Sequence, residues 1–354
     1  MFRASGATDV GRKRGYNEDD VLVRPDLNLY VVADGAGGHN AGEVASAIAT
    51  RSVASHFEAS GKAHKGTPDV DTFGLWTGAR RLGAAVQQAN RDILEIAASS
   101  NKRRGMGTTI AAAAISTRSN AIHVAHVGDS RCYRVRNGQI EQLTKDHTLI
   151  TDALELRPDI DNAALERLPH NVITRALGME KTVRVPVGTH GIANGDRYLL
   201  CTDGLSDMLS PMELLEALGA DSAPEETVRR LINRANAAGG DDNIAAIVVA
   251  CDAVPGKPRS VHPSNIPTRR WQTTTTEESA PEIMLLGIEE VDLNTLGGIH
   301  VLPKNSANEG LLSAVRDFVS PMRTEKRAVV PCPNCGEPIE EAWCPLCGTR
   351  RPGA

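Results

Sequence analysis

LYVVADGAGG, residues 29–38, runs five apolar residues into an aspartate and then into a string of small residues. A short apolar run bounded by Gly and Asp reads as a buried strand, with Asp34 at its mouth. The same pattern returns in HVAHVGDS (123–130), which ends near Asp129, and in YLLCTDG (198–204), which ends near Asp203. It appears reversed in GGDDNIAAIVV (239–249), where Asp242 precedes the apolar run. A single Asp at a strand end is ordinarily a turn residue or a helix cap. Four of them, each with Gly within two residues, are not explained that way. Strands paired in one sheet would bring these carboxylates to a common edge, where they repel unless cations neutralise them. An oxygen-only set rich in Asp suits hard cations such as Mg²⁺ or Mn²⁺.

Outward from these strands, helical periodicity fits residues 42–58, 79–99 and 224–238, the last with Pro and two Glu in its first turn. Asn137-Gly138 between strand-like residues marks a hairpin. The chain does not alternate regularly between strand and helix, so a mixed or antiparallel sheet covered by helices is expected rather than a doubly wound parallel one. Residues 1–252 form this domain. Pro255, Pro258, Pro263 and Pro267 then open a linker over 253–328. Within it, Leu311, Leu312, Val315, Phe318 and Val319 share one face of a short helix over 311–319, either a docking segment or part of a disordered connection.

Composition narrows the function. The 354 residues are 41% hydrophobic and 3% aromatic with a net charge of -5, which is a globular balance without a basic surface for nucleic acid or anionic membrane. The first residues lack the apolar core of a signal peptide, and no apolar run is long enough to span a bilayer, so a cytoplasmic protein is expected. Of the seven cysteines, Cys132, Cys201 and Cys251 are scattered in apolar segments and read as small buried side chains. Cys332, Cys335, Cys344 and Cys347 form two CPxCG knuckles within a 329–351 module. Four thiolates at that spacing suit one structural Zn²⁺ in a zinc-ribbon-like fold, with iron or a redox dithiol as the alternatives.

Eight stretches in order, GRKRGYNEDD (11–20), VVADGAGGHNAGEVAS (31–46), GMGTTIAAA (105–113), HVGDSRCYRVRNGQI (126–140), LTKDHTLI (143–150), ITRALG (173–178), LLCTDGLSDML (199–209) and GGDDNIAAIVV (239–249), resemble the metal-dependent protein phosphatases of type 2C in their bacterial form. The resemblance implies an α+β fold, a four-layer α-β-β-α sandwich of two mainly antiparallel sheets. It also implies hydrolysis of phosphoserine and phosphothreonine in proteins by a hydroxide between two Mn²⁺ or Mg²⁺ ions, commonly opposing a Ser/Thr kinase. Asp34 would bridge the ions, one of them also on the Gly35 carbonyl, with Glu18, Asp203 and Asp242 completing the shells. Asp19 would act through water or as an orienter, and Arg14 would grip the substrate phosphate. Asp129 with Asp203 would hold a third, weaker ion.

The sequence departs from many eukaryotic relatives at Ala36, where they carry His, which leaves His39 or an ion-bound water as candidate proton donors to the leaving group. Residues 151–172 occupy the place of the family's variable flap. No C-x₅-R loop of a cysteine phosphatase is present. A non-catalytic phosphoprotein- or ligand-binding module on the same fold, and a scaffold recruiting a protein partner through its tail, are the competing readings.

Overall fold

The computed structural model describes residues 2–37, 41–63, 69–70, 75–169, 172–254, 330–331 and 338–339. The chain divides into two compact units. In the first, one sheet has the order β2 (Asp19–Arg24), β3 (Leu29–Ala36), β5 (Ile110–Ser116), β6 (Ala121–Val127), β9 (Val187–Gly191), with β4 (Gly107–Thr108) pairing β3. The other has the order β1 (Phe2–Asp9), β11 (Ile244–Cys251), β10 (Arg197–Cys201), β7 (Arg131–Arg136), β8 (Gln139–Gln142). The pairings in both sheets are antiparallel. In the second unit, β12 (Val330–Pro331) pairs antiparallel with β13 (Pro338–Ile339).

Strand alternation assigns the layers. On β3, Leu29, Val31 and Ala33 pack with Ala45, Ala49 and Val53 of α1 (Ala41–Ala63) and Leu82, Val86 and Ile93 of α2 (Thr77–Ala98). The alternate residues Tyr30 and Val32 join Tyr198, Leu200, Ile247 and Val249 between the sheets. On the far side, Leu199, Ala246 and Val248 pack with Leu214 and Leu218 of α6 (Pro211–Gly219) and Val228 and Leu231 of α7 (Pro224–Ala237). The result is the α-β-β-α sandwich the resemblance implies. Alanine fills much of the middle, as on β5 with its run Ala111 to Ala114, which explains a large core built with few aromatics.

The strands expected before Asp34, Asp129 and Asp203 and after Asp242 are present as β3, β6, β10 and β11, and β3 continues through Asp34 to Ala36. The helix expected at 42–58 is longer, running as α1 from Ala41 to Ala63. At the hairpin, Asn137 and Gly138 both take positive φ, 51° and 72°, between the paired Arg136 and Gln139. The 151–172 region contributes α3 (Leu149–Leu156), capped by Thr148, and the single turn α4 (Asn162–Leu165), capped by Asp161. Cys132, Cys201 and Cys251 are buried as free thiols. His39, the 311–319 segment and the four C-terminal cysteines lie outside the described residues.

Candidate metal centre

The alternation that builds the middle layer also delivers the acids. Val21 and Val23 on β2 pack into the layer between the sheets, as do Tyr30 and Val32 on β3, so Asp19 and Asp34 continue those faces to its open end. The register sets them directly opposite each other, Asp19 against Asp34. From the other sheet, Thr202 at the end of β10 donates its hydroxyl to Asp19 Oδ2 at 2.8 Å and accepts the Ala245 amide at 2.9 Å. Asp203 follows at once and opens the one-turn helix α5 (Asp203–Ser206).

Two loop acids close the same end. Asp242 accepts from Arg14 Nη2 at 2.7 Å and from the Asn243 amide at 2.7 Å. The Glu18 carboxyl accepts from the Gly42 amide in the first turn of α1. Gly35 sits where these segments converge: its amide donates to the Glu18 carbonyl at 3.1 Å, and a Cβ there would lie 2.1 Å from the Gly42 carbonyl oxygen. Only glycine fits.

The electrostatics of this cluster are adverse in the absence of cations. Burial, then the charges of Asp19, Asp203, Asp242 and Asp129, hold the Asp34 carboxyl well above the usual carboxylate range. Burial and neighbouring acids do the same to Asp203. Burial is also the first cause raising Asp19 to about 8 and Asp129 to about 7, and it raises Asp242, Glu18 and Asp207 as well. Asp19 Oδ1, Asp129 Oδ1 and Asp203 Oδ1 are buried without any hydrogen-bond partner. Unmet buried carboxylate oxygens are costly unless a cation or water meets them. Among the described residues no three side chains close on one point as a ready-made cage. The donors are carboxylate oxygens, which fit hard divalent ions such as Mg²⁺ and Mn²⁺.

This arrangement makes stability depend on pH in a definite direction. Carboxyls whose folded pKa lies above the unfolded value of about 4 leave the native state holding more protons, so stability is lost as pH rises. In chelator, the denaturation midpoint is expected to fall as pH rises from the ordinary carboxylate range through about 8, where Asp19 is half-titrated. Saturating Mn²⁺ should flatten or reverse that slope, because the ions bind the deprotonated form. Urea titrations across this range, with and without Mn²⁺, measure it; a chelator midpoint that rises with pH would contradict the site.

The structure gathers Arg14, Glu18, Asp19, Asp34, Gly35, Asp129, Asp203 and Asp242 at one end of the sandwich. Arg14 is turned onto Asp242, and its buried Nε has no partner. Sequence reading did not single out Thr202, Asn243 or Asp207. Asp207 lies one helical turn beyond Asp203, a spacing that offered a signal; its amide donates to the Asp203 carbonyl at 2.7 Å. Thr202 and Asn243 carried none beyond adjacency to an acid.

Residues 12–248 match the family model described as protein phosphatase 2C. The chain is 34% identical over 254 residues to the serine/threonine phosphatase stp of Listeria monocytogenes, spanning 71% of this chain and 96% of that protein. It is 35% identical over 250 residues to the serine/threonine protein phosphatase PstP of Mycobacterium tuberculosis, spanning 70% of this chain and 45% of that protein. The crystal structure of the M. tuberculosis serine/threonine phosphatase PstP/Ppp matches with a TM-score of 0.61 at 34% identity, covering 71% of this chain and 99% of that one. The catalytic domain of PstP in complex with two manganese ions gives a TM-score of 0.58 at 34% identity, over 70% and 97%. The span matched by the family model contains every residue of the acidic end, from Arg14 to Asp242. With sandwich, acids and sequence in agreement, this chain belongs to the protein phosphatase 2C family of serine/threonine phosphatases.

Proposed function

We propose that residues 1–252 hydrolyse phosphoserine and phosphothreonine in proteins at a centre of two Mn²⁺ or Mg²⁺ ions. Asp34 would bridge them, with the Gly35 carbonyl, Glu18, Asp203 and Asp242 completing the shells, and Asp19 acting through water or as an orienter. Asp129 and Asp203 would hold a third, weaker ion. The observation that carries this reading is the set of orphaned oxygens on Asp19, Asp129 and Asp203, buried around carboxyls that repel one another. Bound ions would supply a water of lowered pKa and would offset charge on the phosphoryl oxygens.

The protein's own groups do the rest. Thr202 fixes the orientation of Asp19. The apolar layer beneath Asp34 closes the floor of the site to bulk water. Arg14 exchanges Asp242 for the substrate phosphate, to which its planar fork can donate two parallel hydrogen bonds. Ala36 provides no proton for the leaving alkoxide.

Release of inorganic phosphate from a phosphothreonine peptide is expected to require Mn²⁺ and to stop in chelator. Arg14→Ala should raise KM by about tenfold or more, since a charge-assisted bidentate contact is lost. Steady-state kinetics with and without Mn²⁺ check both; turnover that persists without divalent ions would sink the proposal.

A phosphatase of this kind would oppose a Ser/Thr kinase or act on its substrates in the cytoplasm. Among the described residues no helix is long and apolar enough to cross a membrane. After a 253–328 linker, Cys332, Cys335, Cys344 and Cys347 would hold one Zn²⁺ in a 329–351 module that recruits a protein partner. Its support is the doubled CPxCG spacing, whose first knuckle is bracketed in sequence by β12 and β13.

A further inference from the structure

Between β6 and β7 the chain turns through Gly128, Asp129 and Ser130. Gly128 has a φ of 98°, and a Cβ there would lie 2.6 Å from Thr109 Cβ. The direction of the Asp129 side chain depends on this turn, because its carboxyl is bonded to its own backbone amide while its Oδ1 has no hydrogen-bond partner. One residue grips the turn from both sides. The His147 amide donates to the Gly128 carbonyl at 3.0 Å, and the Gly128 amide donates to His147 Nδ1 at 3.1 Å. Both peptide planes that flank the Gly128 α-carbon are thereby fixed.

His147 is itself held. It is 5% exposed and stacks on His126, ring centroids 4.7 Å apart and planes within 16°. His126 Nε2 in turn donates to the Lys145 carbonyl at 2.7 Å. The His147 carbonyl accepts the Thr174 amide at 2.8 Å, and the next residue, Thr148, caps α3. Accepting at Nδ1 requires a neutral ring with its proton on Nε2. Burial, followed by the charges of His126, Arg175 and Arg184, pushes the His147 pKa far down and keeps the ring in that form.

We infer that His147 is a positioning residue that aims the Asp129 carboxylate, by holding Gly128 at both its amide and its carbonyl, and that it ties the 149–156 helix to that carboxylate. The inference rests on Asp129 holding the weaker divalent ion. Partners that orient a metal ligand without touching the metal commonly change affinity by about 10- to 100-fold.

Mn²⁺ binding to the full-length protein, followed by calorimetry and by the electron paramagnetic signal of free Mn²⁺, reads the effect without turnover. Leu and Asn have nearly the same shape, but only Asn keeps an acceptor near the position of Nδ1. His147→Leu is expected to weaken the weaker site by about tenfold or more, and His147→Asn to stay within about threefold of wild type. Asp129→Asn should remove that site. Equal behaviour of the Leu and Asn variants, whether normal or weakened, overturns the role of His147. An unchanged isotherm for Asp129→Asn overturns the assignment of Asp129, and the inference with it. Should the Leu variant not fold by circular dichroism, His147→Gln replaces it, since its amide reaches one bond too far; a Gln variant that binds like wild type, or an Asn variant that does not, overturns the inference.

Discussion

Asp34→Asn is expected to lower kcat by at least about a thousandfold and, in the same protein, to raise the thermal midpoint in chelator. The two effects share one cause. Asp34 is 8% exposed and directly opposite Asp19, with Asp203, Asp242 and Asp129 all adding to the repulsion. Replacing its carboxyl by an amide removes one of the compromised charges of the cluster. An amide there can also donate to a neighbouring acid. A gain of about 1 kcal/mol, or roughly 2–4 °C for a domain of this size, is the expected scale. Saturating Mn²⁺ should reverse the order, because wild type gains stability in proportion to the logarithm of ion concentration over its dissociation constant, and the variant has lost the bridging ligand. Calorimetry in chelator and in Mn²⁺, beside phosphate-release assays, provides the test. Loss of activity together with a lower midpoint in chelator would mean damage to the fold rather than removal of a ligand.

The acids were legible because their pattern is local. Asp34, Asp129, Asp203 and Asp242 each lie within two residues of a strand end, and a run such as IAAIVVAC can only be a buried element. Much of the sheet was not legible in that way. β1 reads FRASGATD, with only three hydrophobic residues, yet it pairs along its whole length with β11 from the far end of the domain, Phe2 opposite Cys251 and Asp9 opposite Ile244. Its strand character comes from that neighbour. β9, VGTHG, is likewise a strand because β6 pairs with it. The face on which Asp19 lies also needed the structure, since the parity of β2 has meaning only when the opposing sheet is known. Arg14 was legible as a charge four residues before Glu18, but its contact to Asp242 spans 228 residues.

Asn243 is the residue whose loss should cost the fold most at this site. It is 6% exposed and makes three bonds to one loop. Its Nδ2 donates to the Val10 carbonyl at 2.9 Å and the Tyr16 carbonyl at 2.8 Å, and its Oδ1 accepts the Glu18 amide at 2.8 Å. Residues 10–18 contain no helix or strand, so these bonds, with that of the Arg12 amide to the Gly240 carbonyl at 2.7 Å, set the position of both Arg14 and Glu18. Asn243→Ala leaves three backbone groups without a partner, at about 1 kcal/mol or more each, so a loss of roughly 3 kcal/mol is expected in urea denaturation. Both KM for the phosphopeptide and the Mn²⁺ concentration at half-maximal activity should rise, since the loop carries one residue for each. Asn243→Asp separates shape from bonding: it is nearly isosteric and keeps the acceptor for Glu18, but it faces two carbonyl oxygens with a third and adds a charge to a cluster that already repels. It should be no more stable than the alanine variant in chelator. An Asn243→Ala protein that denatures like wild type and keeps both constants would show that the loop is held by other means.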